Sequence, residues 1–287
     1  MNTPPQPQPP ARSALSKPEL ETQIAELGRW HHNIELEPGL STFPEIGHSR
    51  RDRFHKLMTE IWPDGLDGRT FVDAACNAGA YCFWAKEIGA SQTFGFDVRE
   101  KWIRQAEFVL ANREGPTDGM SFKAMDLYDL PSIGERRFDI AWFSGIFYHL
   151  PDPVTGLKLV ADRTNDVLLI STGTLTPDGE EPEDGCLYSS FEGVKSPMSG
   201  VHHLNWFPSG PKVLTNILSW LGFPEVRLLQ WDKRVQTDDR PNSRGGRLSM
   251  VASRHEGLLA NVTQGEPRSQ RSRPQRPAQG TPPKPGG

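Results

Sequence analysis

From Thr70 to Thr172 the spacing of apolar residues switches repeatedly between two periods. "TFVDAA", "QTFGFDV", "MSFKAMDL", "RFDIAWFSG" and "DVLLIST" are short, nearly continuous apolar runs and read as five buried strands. In "AYCFWAKEIG" the apolar residues Tyr81, Trp84, Ala85 and Ile88 recur at helical spacing, and "REKWIRQAEFVLANREG" is a second helical stretch. Strands of this kind, separated by amphipathic helices, predict a parallel sheet covered on both faces. Right-handed crossovers make it doubly wound. Further on, "PSGPKVLTNILSWLGF" predicts a helix with Leu214, Ile217, Leu218 and Leu221 on one side. It precedes "EVRLLQWD" and "RLSMVASR", two runs joined by a loop with no crossover helix, which permits a closing antiparallel hairpin.

Upstream, "SKPELETQIAELG" predicts a helix whose Ser16 and Glu19 stand at capping-box spacing and which Gly28 stops. After an irregular stretch, "SRRDRFHKLMTEIW" sets Phe54, Leu57, Met58 and Ile61 on one helical face and Arg50, Arg51, Arg53 and Lys56 on the other. A basic helix face is solvated by default, but it can also meet phosphates. Composition changes the picture only at the ends. Residues 1–15 are rich in Pro and Gln, and residues 254–287 in Pro, Gly and Arg, so both are expected to be disordered. Four segments result: the Pro-rich start, a helical extension or lid over 16–66, the main α/β domain over 67–253, and the basic tail.

The net charge of −4 is unevenly spread. From Arg254 onward six Lys or Arg face two Glu, so the rest of the chain is more acidic than the whole. That balance argues against a broad phosphate-binding surface on the body. No apolar run is long enough to span a membrane and the first residues lack the order of a secretory signal, so a cytoplasmic location is expected. The three cysteines form no CxxC pair and read as reduced thiols.

The first strand ends in "DAACNAG", a strand-to-helix turn with one glycine. This resembles the acidic-x-Gly-x-Gly-x-Gly loop of class I methyltransferases, with Asp73 at the acidic place, Gly79 at the last glycine, and Ala75 and Asn77 where the other two glycines stand. Asn tolerates a left-handed backbone, whereas Ala75 is expected to need an ordinary dihedral. Asp97 closes the second strand twenty residues after the loop, at the spacing where Rossmann-type folds set a carboxylate on ribose hydroxyls. Asp126 and Leu127 close the third. The resemblance implies S-adenosylmethionine as cofactor, Asp126 facing the adenine amino group, Leu127 the ring, and Ser144 the methionine part through its backbone. It also implies a Rossmann-like methyltransferase sheet.

"CNAG", "WHHNIELEPGLST", "FYHLPDP" and "NWFPSGPKVLTNILSWLGF" together resemble the tRNA wobble-uridine methyltransferases, which make 5-methoxyuridine or 5-oxyacetyluridine, over roughly Leu27 to Ser253. The expected reaction is O-methylation. His149 is the candidate base, since histidine titrates near neutral pH, with Tyr148 beside it. Trp30, His202, His203 and Trp206 are candidate acceptor contacts, Trp206 by stacking. Adjacent histidines cannot readily chelate one ion with both rings, so no metal is expected. The acidic body favours a small hydroxylated acceptor over tRNA. A tRNA-modifying enzyme stays open, as does a non-catalytic binding protein on the same scaffold. A hydrolase is disfavoured because no G-x-S-x-G elbow follows a strand.

Overall fold

The structure is a computed structural model and describes residues 15–176, 180–192, 201–233 and 246–269. The Pro-rich start and the tail beyond Ser269 lie outside the described residues.

The helical extension comprises α1 (Lys17–Glu26), a small hairpin of β1 (Glu35–Glu37) and β2 (Leu40–Ser41), and α2 (Ser49–Ile61). The Ser16 amide donates to Glu19 Oε2 at 2.7 Å, half of the capping box that the spacing predicts. The irregular stretch is therefore ordered: Thr42 Oγ1 accepts from Ile34 N and donates to the His32 carbonyl, tying the hairpin to the chain before it.

The main domain follows as β3 (Thr70–Ala74), α3 (Ala80–Glu87), β4 (Gln92–Asp97), α4 (Glu100–Asn112), β5 (Met120–Ala124), β6 (Phe138–Ser144), α5 (Pro153–Ala161) and β7 (Thr164–Thr174). A second hairpin, β8 (Leu187–Phe191) and β9 (Leu204–Pro208), precedes α6 (Pro211–Trp220), β10 (Glu225–Lys233), β11 (Gly246–Ser253) and β12 (Pro267–Ser269). The sheet order is β12-β10-β11-β7-β6-β3-β4-β5. Neighbours from β7 to β5 are parallel, and β11 is antiparallel to both β7 and β10. This is the doubly wound sheet with a closing antiparallel hairpin that the apolar pattern predicts, with one extra edge strand. Phe54, Leu57, Met58 and Ile61 of α2 pack with Phe71, Phe83 and Trp142 in one core layer. Phe143, Leu157, Leu214 and Leu218 belong to the other.

The packed chain runs past Ser253, the boundary drawn from composition. Leu259 and Val262 are buried, and the Arg254 guanidinium donates to the carbonyls of Thr164, Ala161 and Leu221. "GLLANV" supplies enough apolar area to anchor this piece, and averaging over a Pro- and Arg-rich tail conceals it. β12 then pairs in parallel with β10. Among the described residues no helix is long and apolar enough to cross a membrane.

Candidate active site

The carboxyl ends of β3 to β6 open into one cavity of roughly 1020 Å³. In an open α/β sheet this edge, where strand order reverses, is where ligands sit. Asp73, Ala75, Cys76, Asn77, Asp97, Asp126, Leu127, Ser144, Tyr148, His149 and His202 line it.

The loop after β3 has a conformation that its sequence disguises. Ala75 and Asn77 have φ of 59° and 53°, and Gly79 has φ 77° at the start of α3. The expectation that Ala75 keeps an ordinary dihedral is thus corrected. A left-handed alanine costs about 1–2 kcal/mol and survives where the surroundings overdetermine it. Here the Cys76 amide donates to the Phe96 carbonyl (2.9 Å), the Gly79 amide to the Cys76 carbonyl (2.9 Å), and the Asn77 amide to Asp97 Oδ2 (3.1 Å). Gly79 has a packing reason besides: a Cβ there would stand 2.4 Å from the Phe122 ring. It supports the loop from behind and is not on the cavity wall.

Three carboxylates stand at this edge. Asp97 accepts from the amides of Asn77 and, at 3.0 Å, Arg99. Burial raises its pKa against those bonds. Asp73 is fully enclosed and its Oδ2 has no hydrogen-bond partner among the described residues. Burial first, and then Asp97, pushes its carboxyl well up. Asp126 accepts from the Tyr128 amide at 2.9 Å, and His202 Nε2 lies 3.8 Å from its Oδ2.

On the acceptor side, the 3-10 turn Phe147–His149 carries Tyr148 and His149 into the cavity. His149 Nδ1 meets Glu192 Oε1 in a short contact. Burial, then the positive fields of Arg99 and Arg247, hold the imidazole below its ordinary value, although Glu192 works in the opposite direction. Tyr81, on the neighbouring wall, lies 4.3 Å from the Trp142 ring. Burial, and then Asp73, push its phenol up to about 12 while Arg50, Arg53 and Arg247, which line the same cavity, pull it down. Among the described residues none of the three has a carboxylate partner. Lys56 and Arg268 line the same cavity.

Three acceptor-side candidates sit elsewhere. Trp30 is buried against Phe108 and donates Nε1–H to the Ile24 carbonyl, so it belongs to the core of the extension. Trp206 donates to the Pro151 carbonyl at 3.1 Å, and His203 takes φ 60° at the foot of the second hairpin. Neither lines the cavity; His202 alone of that group reaches it. Glu192 and Arg247 do line it and are not among the sequence candidates. Among the described residues no group of three or more His, Cys, Asp or Glu can hold a metal ion.

Residues 72–162 match a family model described as a methyltransferase domain. The tRNA U34 carboxymethyltransferase of Alteromonas mediterranea is 25% identical over 184 residues, which cover 62% of this chain and 52% of the relative. That of Campylobacter hominis is 29% identical over 130 residues, 45% of this chain and 44% of the relative. The chain thus spans about half the length of these relatives. In structure it is similar to the N-terminal domain of EvdMO1, solved in the presence of SAH and D-fucose. The TM-score is 0.64 at 20% identity, covering 84% of this chain and 99% of that one. The cavity suits such a cofactor: the unpartnered, buried Asp73 oxygen can accept from an ammonium group, and Asp97 and Asp126 stand at the adjacent strand tips as acceptors. The chain therefore carries a domain of the class I methyltransferase fold, which a methyltransferase family model matches over residues 72–162, and it resembles the tRNA U34 carboxymethyltransferases.

Proposed function

We propose that this chain methylates a hydroxyl group on an RNA nucleotide, the wobble uridine of tRNA being the acceptor that its relatives' names suggest. The observation that carries this reading is the meeting of four arginines on one cavity, Arg50 and Arg53 from α2, Arg247 from β11 and Arg268 from β12, beside Lys56, which pairs with Glu60 at 3.6 Å. Along the sequence these cations look scattered, and the acidic balance of the body favours a small acceptor. Gathered beside the strand tips, they form a local field for phosphates that the net charge conceals. Guanidinium groups without carboxylate partners suit phosphate oxygens, which they can grip with two bonds each.

When bound, S-adenosylmethionine supplies an electrophilic methyl group on a sulfonium, with a thioether as leaving group. In this reading Asp97 holds the ribose hydroxyls, Asp126 and Leu127 face the adenine, and Asp73 holds the amino group of the methionine part. The protein's contribution is chiefly alignment, worth on the order of 7–11 kcal/mol at best. His149 removes the acceptor's hydroxyl proton, which its neutral imidazole can do because its pKa lies below the ordinary value.

Transfer of labelled methyl to unmodified or hydroxylated tRNA, set beside transfer to small hydroxylated acceptors, tests the reading. Mass analysis of the product nucleoside separates methyl from carboxymethyl. With one phosphate contact for each of the four arginines, at the single-strand slope of about 0.7 per contact, RNA affinity should fall about 50-fold between 50 and 200 mM salt. Turnover on a small acceptor with no label entering RNA would overturn the proposal.

A further inference from the structure

We propose that Glu192 is a positioning residue. It holds the Nδ1–H of His149, so that the Nε2 lone pair faces the cavity and receives the acceptor's proton. This rests on the hydroxyl-methylation reading above.

The Glu192 side chain is only 3% exposed. A carboxylate so enclosed is costly unless it is hydrogen-bonded. Its Oε1 contacts His149 Nδ1. With the Asn205 amide in the orientation that satisfies both of its ends, the Asn205 nitrogen donates to the same oxygen (3.2 Å) and to the Tyr148 carbonyl (3.0 Å). The second hairpin thus grips the His149 turn at several points, because Phe207 of β9 also stacks on Tyr148 with ring centroids 5.8 Å apart. The Glu192 amide donates to the His203 carbonyl at 3.1 Å, which holds the hairpin arms together beside the pair.

An acceptor-only carboxylate fixes the tautomer: the ring proton stays on Nδ1 and Nε2 is left as the acceptor. Among the described residues, Glu192 just after β8 and Tyr148 contact the ring, and the charges of Arg99 after β4 and Arg247 from β11 also act on it. During transfer the acceptor O–H bond breaks and its proton passes to Nε2. The oxygen forms a bond to the methyl carbon, the carbon–sulfur bond breaks, and sulfur keeps that electron pair. The imidazolium, paired with the Glu192 carboxylate, then releases the proton to water.

The test uses the full chain and the variants Glu192→Gln, Glu192→Asp and His149→Gln, with thermal melts to confirm folding. Nitrogen-resolved NMR of the His149 ring reads the tautomer and titration without turnover. Because Glu192 raises the imidazole's pKa, Glu192→Gln should lower it further and mix the tautomers. The alkaline-rising limb of kcat should move to lower pH, and kcat should fall about 10–100-fold at little change in KM. Glu192→Asp should recover part of the loss. An unchanged ring titration and tautomer in Glu192→Gln overturns the proposal whatever the rates. If the ring responds but both Glu192→Gln and His149→Gln turn over at the wild-type rate, the base reading is refuted and the pair is only structural.

Discussion

Glu87 ties the helical extension to the methyltransferase domain, and its removal has a calculable consequence. At the end of α3 its carboxylate accepts from Arg51 Nε of α2 at 2.7 Å and from Arg113 Nη2 after α4, with His55 Nε2 of α2 at 3.4 Å. Burial works against the charge, but His55, Arg113 and Arg51 outweigh it and bring the pKa from 4.5 to about 2. A drop of that size corresponds to about 3 kcal/mol, and partial solvent screening reduces it to about 2–3. Because the folded-state value is depressed, the contribution is complete above pH 4.5 and is lost as the pH falls toward 2. Glu87→Gln also leaves Arg113, whose side chain is 5% exposed, without its charge partner, a change that typically costs about 3–5 kcal/mol. We therefore expect Glu87→Gln to lose about 3 kcal/mol at pH 7 in urea denaturation, and about 6–12 °C in Tm. The gap between wild type and variant should close as the pH falls from 5 to 2. A loss below about 1 kcal/mol at pH 7, or a gap that does not change over that range, would refute the linkage, since buried-pair losses normally exceed it.

Other expectations address the cavity. Asp73→Asn should stabilise the ligand-free protein at neutral pH, because a buried carboxyl whose pKa is raised weakens folding once the pH passes its unfolded value; it should also weaken S-adenosylmethionine binding. Melting curves and titration calorimetry read the two effects. Gly79→Ala should cost about 1–3 kcal/mol through the Phe122 clash and the φ of 77°, and pairing it with Phe122→Leu should recover part of that in urea denaturation. Replacing Arg50, Arg53 and Arg247 together by Gln should flatten the salt dependence of RNA binding by about two to three units of log–log slope, measured by filter binding.

The sheet and its carboxylate tips were legible because apolar runs such as "TFGFD" end at an acidic residue, and both signals are local. α5 is easier to overlook. It is short, carries Gly156, and begins at the Asp152 cap, three residues after the His149 turn. The β8–β9 hairpin is built from half-polar runs such as "LYSSF", which carry little periodicity. The left-handed Ala75 is visible only once the bonds around its loop are known. Glu192 lies 43 residues from the histidine it meets, and Arg50 and Arg247 are far apart in the sequence yet line one cavity. No spacing rule brings such residues together; the doubly wound topology does. The same topology leaves Trp30 in the core, where its ring packs on Phe108 away from the cavity wall.

The central claim is that the strand-tip carboxylates bind the cofactor's adenosine, and Asp97→Ala tests it most directly. Charge-assisted hydrogen bonds are worth about 1.5–3 kcal/mol each, so the loss of two should weaken S-adenosylhomocysteine binding about 100-fold or more in titration calorimetry. A folded Asp97→Ala protein that binds S-adenosylhomocysteine as tightly as the wild type would contradict the account.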